Sequence, residues 1–269
     1  MKVRNVAFYR FLPVADRLGV NRAIWTEFLE PNQQNPAWKF YFEDLRAQVR
    51  RILLALDIKG SAILSPEGVN IFLAGPAGDL EAACLRIREI PELAGLQDED
   101  FKWSDSETNP FERLKVKLKR EIIPMRRLDV HPELETAPRL DPSTLKQWLD
   151  QKKRVVLVDT RNDYETAKGT FEGALDWGLK NFQQFPGELE KRTEELSKIA
   201  GEAPIVMFCT GGIRCEKATA LAQNLGLKNV FQLEGGILRY FEKAGSDHYT
   251  GSCFVFDERV ALDSELHAI

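Results

Sequence analysis

Apolar and polar positions alternate through residues 3–11 (Val3-Arg-Asn-Val-Ala-Phe-Tyr-Arg-Phe11), the period of a strand with one buried face. An irregular stretch with Pro31 and Pro36 follows. Leu45, Val49, Ile52, Leu53 and Leu56 then recur at helical spacing, which predicts a helix over 41–57. Two short strand-like runs, 61–65 and 69–74, flank the turn signal Pro66-Glu67-Gly68. Residues 77–90 read as a second helix with Leu80, Cys84 and Ile87 on one face, so Cys84 is expected in the core. An alternating strand over 112–123 closes the series. The order is β-α-β-β-α-β.

That order predicts a ferredoxin-like (acylphosphatase-like) α+β domain over residues 1–123. From Pro124 to Pro142 there are four prolines and little hydrophobic periodicity, which marks 124–140 as a linker. Asp141 then stands as an N-cap with Pro142 at the first helical position. Val155–Val158 and Ile205–Phe208 are short continuous apolar runs, the mark of buried parallel strands, with helical segments between and after them. An α/β domain with a parallel sheet is expected over 141–250, followed by a C-terminal segment, 251–269. In such a domain the functional loops follow the C-terminal ends of the strands.

One such loop carries chemistry. The run Ile205-Val-Met-Phe-Cys209-Thr210-Gly211-Gly212-Ile213-Arg214-Cys215 goes from a buried strand to a helix expected to begin near Cys215. Two glycines let the backbone curl so that successive N–H groups point inward, and the helix N-terminus adds partial positive charge. Such a cradle stabilises an anion, and the nearest candidate is the Cys209 thiolate. The plainer alternative is an inert cysteine at a strand end. Four residues separate Cys209 from Arg214. Cysteine-dependent phosphatases use a longer loop that encircles phosphate, so this one suits a persulfide or another compact intermediate. Arg214 is expected to face that anion.

Composition narrows the setting. The 269 residues leave room for two domains, and 43% hydrophobic with 29% charged residues indicates a folded chain. No apolar run approaches the roughly 18 residues of a membrane span. The N-terminus alternates charged and apolar residues, so export is not expected and a cytoplasmic location is. Four cysteines without a Cys-x-x-Cys pair, and three scattered histidines, predict neither a disulfide framework nor a metal site. The net charge of −4 gives no global affinity for nucleic acid. Between Arg113 and Arg127, however, seven basic residues face one acidic residue, for a local net of +6. Lys115, Lys117 and Lys119 alternate there with Leu114, Val116 and Leu118, giving a strand one basic face. That pattern serves either an edge strand protected against aggregation or a phosphate-binding surface.

Two further blocks bear on family. Asp159-Thr160-Arg161 ends a strand and is followed by Tyr164-Glu165 and by Gly169-Thr170-Phe171-Glu-Gly173-Ala174, which resembles the signature of rhodanese domains. Many rhodaneses have His where this chain has Thr170. Asp159 and Arg161 read as an ion pair bracing the site, with direct contact to the substrate as the sharper alternative. Ser65-Pro-Glu-Gly-Val-Asn70, Asn109 through Ile122, Phe182-Gln-Gln-Phe-Pro186, Cys209 through Lys217, Glu234-Gly-Gly-Ile237 and Gly251 through Val260 extend the likeness. Together they resemble the bacterial rhodanese-domain tRNA uridine hydroxylases. The resemblance implies an oxidoreductase of tRNA modification, with oxygen-dependent 5-hydroxylation of the wobble uridine. Cys209 would be its catalytic cysteine, tRNA its partner and molecular oxygen its co-substrate; no metal or flavin is implied. No protein partner is expected. With the family in view, Lys115, Lys117 and Lys119 become candidate RNA contacts, and an RNA phosphate becomes the alternative partner of Arg214. Residues 18–39 depart from the family pattern. Cys215 reads equally as a resolving thiol or as a small residue packed under the loop, while Cys253 reads as structural. The competing function is a thiosulfate-type sulfurtransferase carrying a persulfide.

Overall fold

Val6 and Phe8, inward positions of the first alternating run, are buried on strand β1 (Val3–Phe11) in the computed structural model. The structure describes residues 2–20, 38–127, 129–255, 260–263 and 265–267. Residues 21–37, most of the stretch that departs from the family pattern, lie outside them. After β1 come a single helical turn, α1 (Val14–Arg17), and the long helix α2 (Trp38–Ala55). Strands β2 (Lys59–Ser65) and β3 (Gly68–Gly75), helix α3 (Ala77–Arg88), and strands β4 (Lys102–Ser106) and β5 (Leu114–Leu118) complete the first unit.

The sheet order is β4-β1-β3-β2-β5. Its first four members have the ferredoxin-like arrangement. The expected closing strand over 112–123 is therefore corrected: Lys102–Ser106 is the fourth strand, and the basic strand is a fifth, paired parallel to β2 at the sheet edge. The sequence Lys-Trp-Ser-Asp-Ser gave no sign of β4, because the strand buries no side chain fully and so lacks apolar alternation. Both helices pack on one face of the sheet, where Val6, Phe8, Leu64, Ile71 and Leu73 meet Phe42, Val49, Leu80 and Cys84. The buried Glu67 of the β2–β3 turn accepts the Ile122 N–H at 2.7 Å and so ties down the chain after β5.

The chain divides into two compact units, Met1–Pro124 and Met125–Ile269. In the second, Arg139 and Leu140 at the end of the proline-rich stretch form strand β6. Helix α4 (Pro142–Asp150) is capped as its sequence predicts, with the Asp141 carboxylate accepting the Ser143 N–H at 2.8 Å. There follow β7 (Val156–Asp159), the one-turn α5 (Asp163–Thr166), β8 (Gly169–Phe171), β9 (Leu175–Asp176) and α6 (Phe185–Ala200). Then come β10 (Ile205–Phe208), α7 (Ile213–Asn224), β11 (Val230–Leu233) and α8 (Gly236–Ala244). The strands β6-β11-β10-β7-β9 form one parallel sheet. The runs β7 and β10 are buried at every position, as sheet strands covered on both faces must be. Strands β12 (Tyr249–Gly251), β13 (Cys253–Phe254) and β14 (Ala261–Leu262) close the chain, β12 pairing with β8. No helix among the described residues is long and apolar enough to cross a membrane.

Candidate active site

The loop after β10 lies at the C-terminal end of a central parallel strand. Gly212 takes φ +99°, a left-handed conformation natural only to glycine, and serves as the N-cap of α7. This turn aims its own N–H at the Cys209 sulfur, 3.1 Å away. The Arg214 N–H also reaches the sulfur. The helix begins at Ile213, two residues before the sequence expectation, so Arg214 sits in its first turn.

A second helix sets the other side of the loop. The N–H groups of Ile237 and Leu238, at the start of α8, donate to the carbonyls of Cys209 (2.9 Å) and Thr210 (3.1 Å). With the carbonyls held outward, the loop N–H groups are left for the sulfur. This contact requires a bare backbone at Gly236: a Cβ there would lie 2.3 Å from the Cys209 carbonyl oxygen. The Glu234-Gly-Gly-Ile block, nondescript as a motif, is thus the brace of the loop. The Cys209 side chain forms its floor and is fully buried, while Gly211 and Ile213 are half-exposed at the rim.

Arg214 is buried as well. Its guanidinium forks onto Glu165, Nη1 to Oε2 at 2.6 Å and Nη2 to Oε1 at 2.7 Å, and also hydrogen-bonds the Cys209 sulfur. The expectation that Arg214 faces an RNA phosphate is corrected: its two terminal nitrogens are committed to a buried carboxylate. Glu165 in turn accepts the Asn162 N–H (3.1 Å) and the Thr210 hydroxyl (3.3 Å). Burial pushes the Cys209 thiol up, but the Cys215 hydrogen bond, the Arg214 charge and the two backbone N–H groups outweigh it. They hold the thiol down at about 5. Burial and the Cys209 charge push Cys215 well above its ordinary value. Cys84 and Cys253, which have no such cradle, are pushed up to about 12, chiefly by burial.

Cys215 is therefore packed under the loop and is also a donor to the Cys209 sulfur, with the Thr160 hydroxyl 3.8 Å from its own sulfur. All four cysteines are free thiols. Since the other three titrate only in alkali, an ultraviolet thiolate titration in the acid range reads Cys209 alone. Loss of the Cys215 donor removes a contribution that stabilises the charged form, so Cys215→Ala is expected to move that titration to higher pH. An unmoved midpoint in a folded Cys215→Ala protein would show that Cys215 does not tune the thiol.

Asp159 and Arg161 stand behind the site. Arg161 is completely buried and chelates Asp159 (Nε to Oδ1 2.9 Å, Nη2 to Oδ2 2.7 Å), while Nη2 also donates to the Gly169 carbonyl at 2.6 Å. Thr170, where many rhodaneses have His, donates to the same Asp159 carboxylate at 2.7 Å. The pair fastens β8 to the end of β7. Thr160 bonds the Phe208 carbonyl through both its N–H and its hydroxyl, which aligns the ends of β7 and β10.

The structure thus brings together Cys209, Thr210, Gly211, Gly212, Ile213, Arg214 and Cys215, with Asp159 and Arg161 in support. Lys115, Lys117 and Lys119 lie in the first unit, exposed. Glu165 is the residue that sequence reasoning missed as a site member. It stands in the Tyr164-Glu165 part of the rhodanese-like signature and makes a capping box with Asn162, which reads as a helix start and not as a partner for Arg214. Among the described residues, no three His, Cys, Asp or Glu side chains gather as a metal site.

The family described as UPF0176 acylphosphatase like domain matches residues 38–122, and the rhodanese-like domain family matches residues 141–243. A protein of Thiobacillus denitrificans named tRNA uridine(34) hydroxylase is 40% identical over 274 residues, covering 100% of this chain and 98% of its own length. A protein of the same name from Ralstonia nicotianae is 46% identical over 239 residues, covering 86% of this chain and 82% of its own. Among solved structures, a rhodanese-like domain from an Anabaena protein aligns with 42% of this chain and 79% of its own at 20% identity, with a TM-score of 0.35.

Proposed function

We propose, from the premise that the chain belongs to the tRNA uridine(34) hydroxylase family, that Cys209 is the nucleophile of a wobble-uridine hydroxylation. The chain is a tRNA-modifying enzyme of the oxidoreductase class, and its substrate is tRNA. The observation that carries the reading is the buried Cys209 sulfur, held as a thiolate by the Gly212 N–H at 3.1 Å and by the adjacent Arg214.

A thiolate is a soft nucleophile, and C6 of uracil is an electrophilic carbon conjugated to a carbonyl. Addition of Cys209 to C6 drives the electron pair toward C5 and makes that carbon nucleophilic. Molecular oxygen is the proposed oxidant. It leaves one atom on C5 and one in water, and a thiol reductant supplies two electrons and two protons. Loss of the C5 proton and expulsion of the Cys209 thiolate restore the uracil ring. Arg214, neutralised in part by Glu165, keeps a positive charge beside the sulfur as it leaves. Lys115, Lys117 and Lys119 are the proposed phosphate contacts, and a tRNA substrate supports a cytoplasmic location.

Nucleoside mass spectrometry of tRNA from cells lacking the protein tests the reading. Loss of 5-hydroxyuridine and of nucleosides derived from it is expected, with restoration by the plasmid-borne gene. A sulfurtransferase would leave those nucleosides intact, and their persistence would sink the hydroxylase assignment.

A further inference from the structure

Helices α2 and α3 cover one face of the first unit's sheet, and the pairing register defines what the other face carries. Val6, Phe8, Leu64, Val69, Ile71 and Leu73 point into the core. The alternate positions on the same strands point the opposite way. Ala7 pairs with Lys102 on one side and with Phe72 on the other; Phe72 pairs with Ser61, and Ser61 with Lys115. One row across all five strands therefore reads Lys102, Ala7, Phe72, Ser61, Lys115, with a lysine at each edge and an aromatic ring at the centre. The next row reads Tyr9, Asn70, Ile63, Lys117. On the other side, Asn5 and Ala74 share a row with Lys59.

Phe72 is 42% exposed on the middle strand of this sheet, and Lys115 and Lys117 are exposed at its edge. A phenylalanine at the centre of a sheet normally contributes by burial. Here the face holds no Asp or Glu at any strand position, although the whole chain is net negative. Adjacent strands lie about 4.8 Å apart, so the ring of Phe72 and the lysines of β5 stand about 10 Å from one another. Tyr9 is a diagonal neighbour of Phe72 at roughly 7–8 Å. Flat rings spaced along central strands and flanked by cations match the needs of unpaired nucleotides, whose bases stack and whose phosphates carry charge. A paired duplex hides its bases and can use only the lysines.

We propose that this helix-free face is a stacking platform for unpaired bases of RNA, with Phe72 and Tyr9 under the bases and Lys59, Lys102, Lys115 and Lys117 along the phosphates. It rests on the reading that the substrate is tRNA, whose anticodon loop supplies such bases. The edge position of β5 alone would account for its lysines as protection against strand pairing. It accounts neither for Lys59 on an inner strand nor for the exposed ring at the centre of the sheet.

Binding of the full-length protein to two RNA probes, an anticodon stem–loop and a fully paired duplex, tests the platform across a salt series. Phe72→Ala is expected to weaken stem–loop binding roughly tenfold or more. The salt slope and duplex binding should stay as they are, and Phe72→Trp should retain affinity. Replacing Lys59, Lys115 and Lys117 together by Gln should lower the stem–loop slope of log K against log salt by about 2 and weaken both probes. Equal binding of both RNAs by wild type and Phe72→Ala would overturn the platform. So would a change from dimer to monomer in Phe72→Ala at unaltered RNA affinity, which would assign the face to a second copy of the chain. The cellular nucleoside measurement reads the hydroxylase assignment separately, so either idea can fail while the other stands.

Discussion

Cys209→Ser is expected to bring 5-hydroxyuridine in complemented cells down to the level of the deletion strain. The two side chains differ by one atom, but the loop stabilises an anion that only the thiol can form near neutral pH. Cys215, the Arg214 charge and the loop N–H groups hold the Cys209 thiol well below its ordinary value, which favours the thiolate. A serine hydroxyl in the same place stays protonated, and its oxygen is a harder and poorer nucleophile toward a conjugated carbon. Loss of a catalytic nucleophile costs a rate factor of order 10³ or more. The fold has little reason to change, since the serine oxygen still accepts the Gly212 N–H that now meets sulfur. The measurement is nucleoside mass spectrometry together with thermal unfolding of the purified variant. Near-normal 5-hydroxyuridine from a folded Cys209→Ser protein would remove Cys209 from the reaction.

Glu165→Ala is expected to be the most destabilising single change at the site. It leaves the buried Arg214 guanidinium without its carboxylate and strips partners from the Asn162 N–H and the Thr210 hydroxyl. Removing one member of a buried ion pair costs about 3–5 kcal/mol. Glu165→Gln keeps the shape and one acceptor oxygen, so it should be milder in urea unfolding. Its effect on the thiol has a defined sign. With the neighbouring negative charge gone, the Arg214 field at Cys209 is less compensated, so the Cys209 titration should move to lower pH. That is opposite to the shift expected for Cys215→Ala. Unfolding of Glu165→Ala at the wild-type urea concentration would show that the pair does not hold the loop.

What could be read from the sequence divides along the range of the interactions. The Cys209–Arg214 loop was legible because a strand, two glycines and a helix start are consecutive in the chain. The inward and outward positions of β5 were legible for the same reason. Strand β4 was not, since an exposed edge strand made of Lys-Trp-Ser-Asp-Ser carries no periodic apolar signal. The start of α7 was placed two residues late, because its cap is a left-handed glycine rather than a Ser, Thr, Asp or Asn side chain. Strand β6 is two residues long and follows a proline, so it vanished into the linker pattern. Glu165 lies 49 residues from Arg214, and nothing local to either names the other as partner.

The contact between Gly236 and the loop bears on how the protein is made. Synthesis runs from the N-terminus, so Cys209 leaves the ribosome ahead of the helix whose Ile237 and Leu238 N–H groups turn the loop carbonyls outward. Until that helix docks, the Cys209 and Thr210 carbonyls lack these two donors and the loop is unbraced. The last helix of the parallel sheet is therefore the piece that fixes a loop made before it. The reactive loop thus takes its final shape only late in the making of the chain.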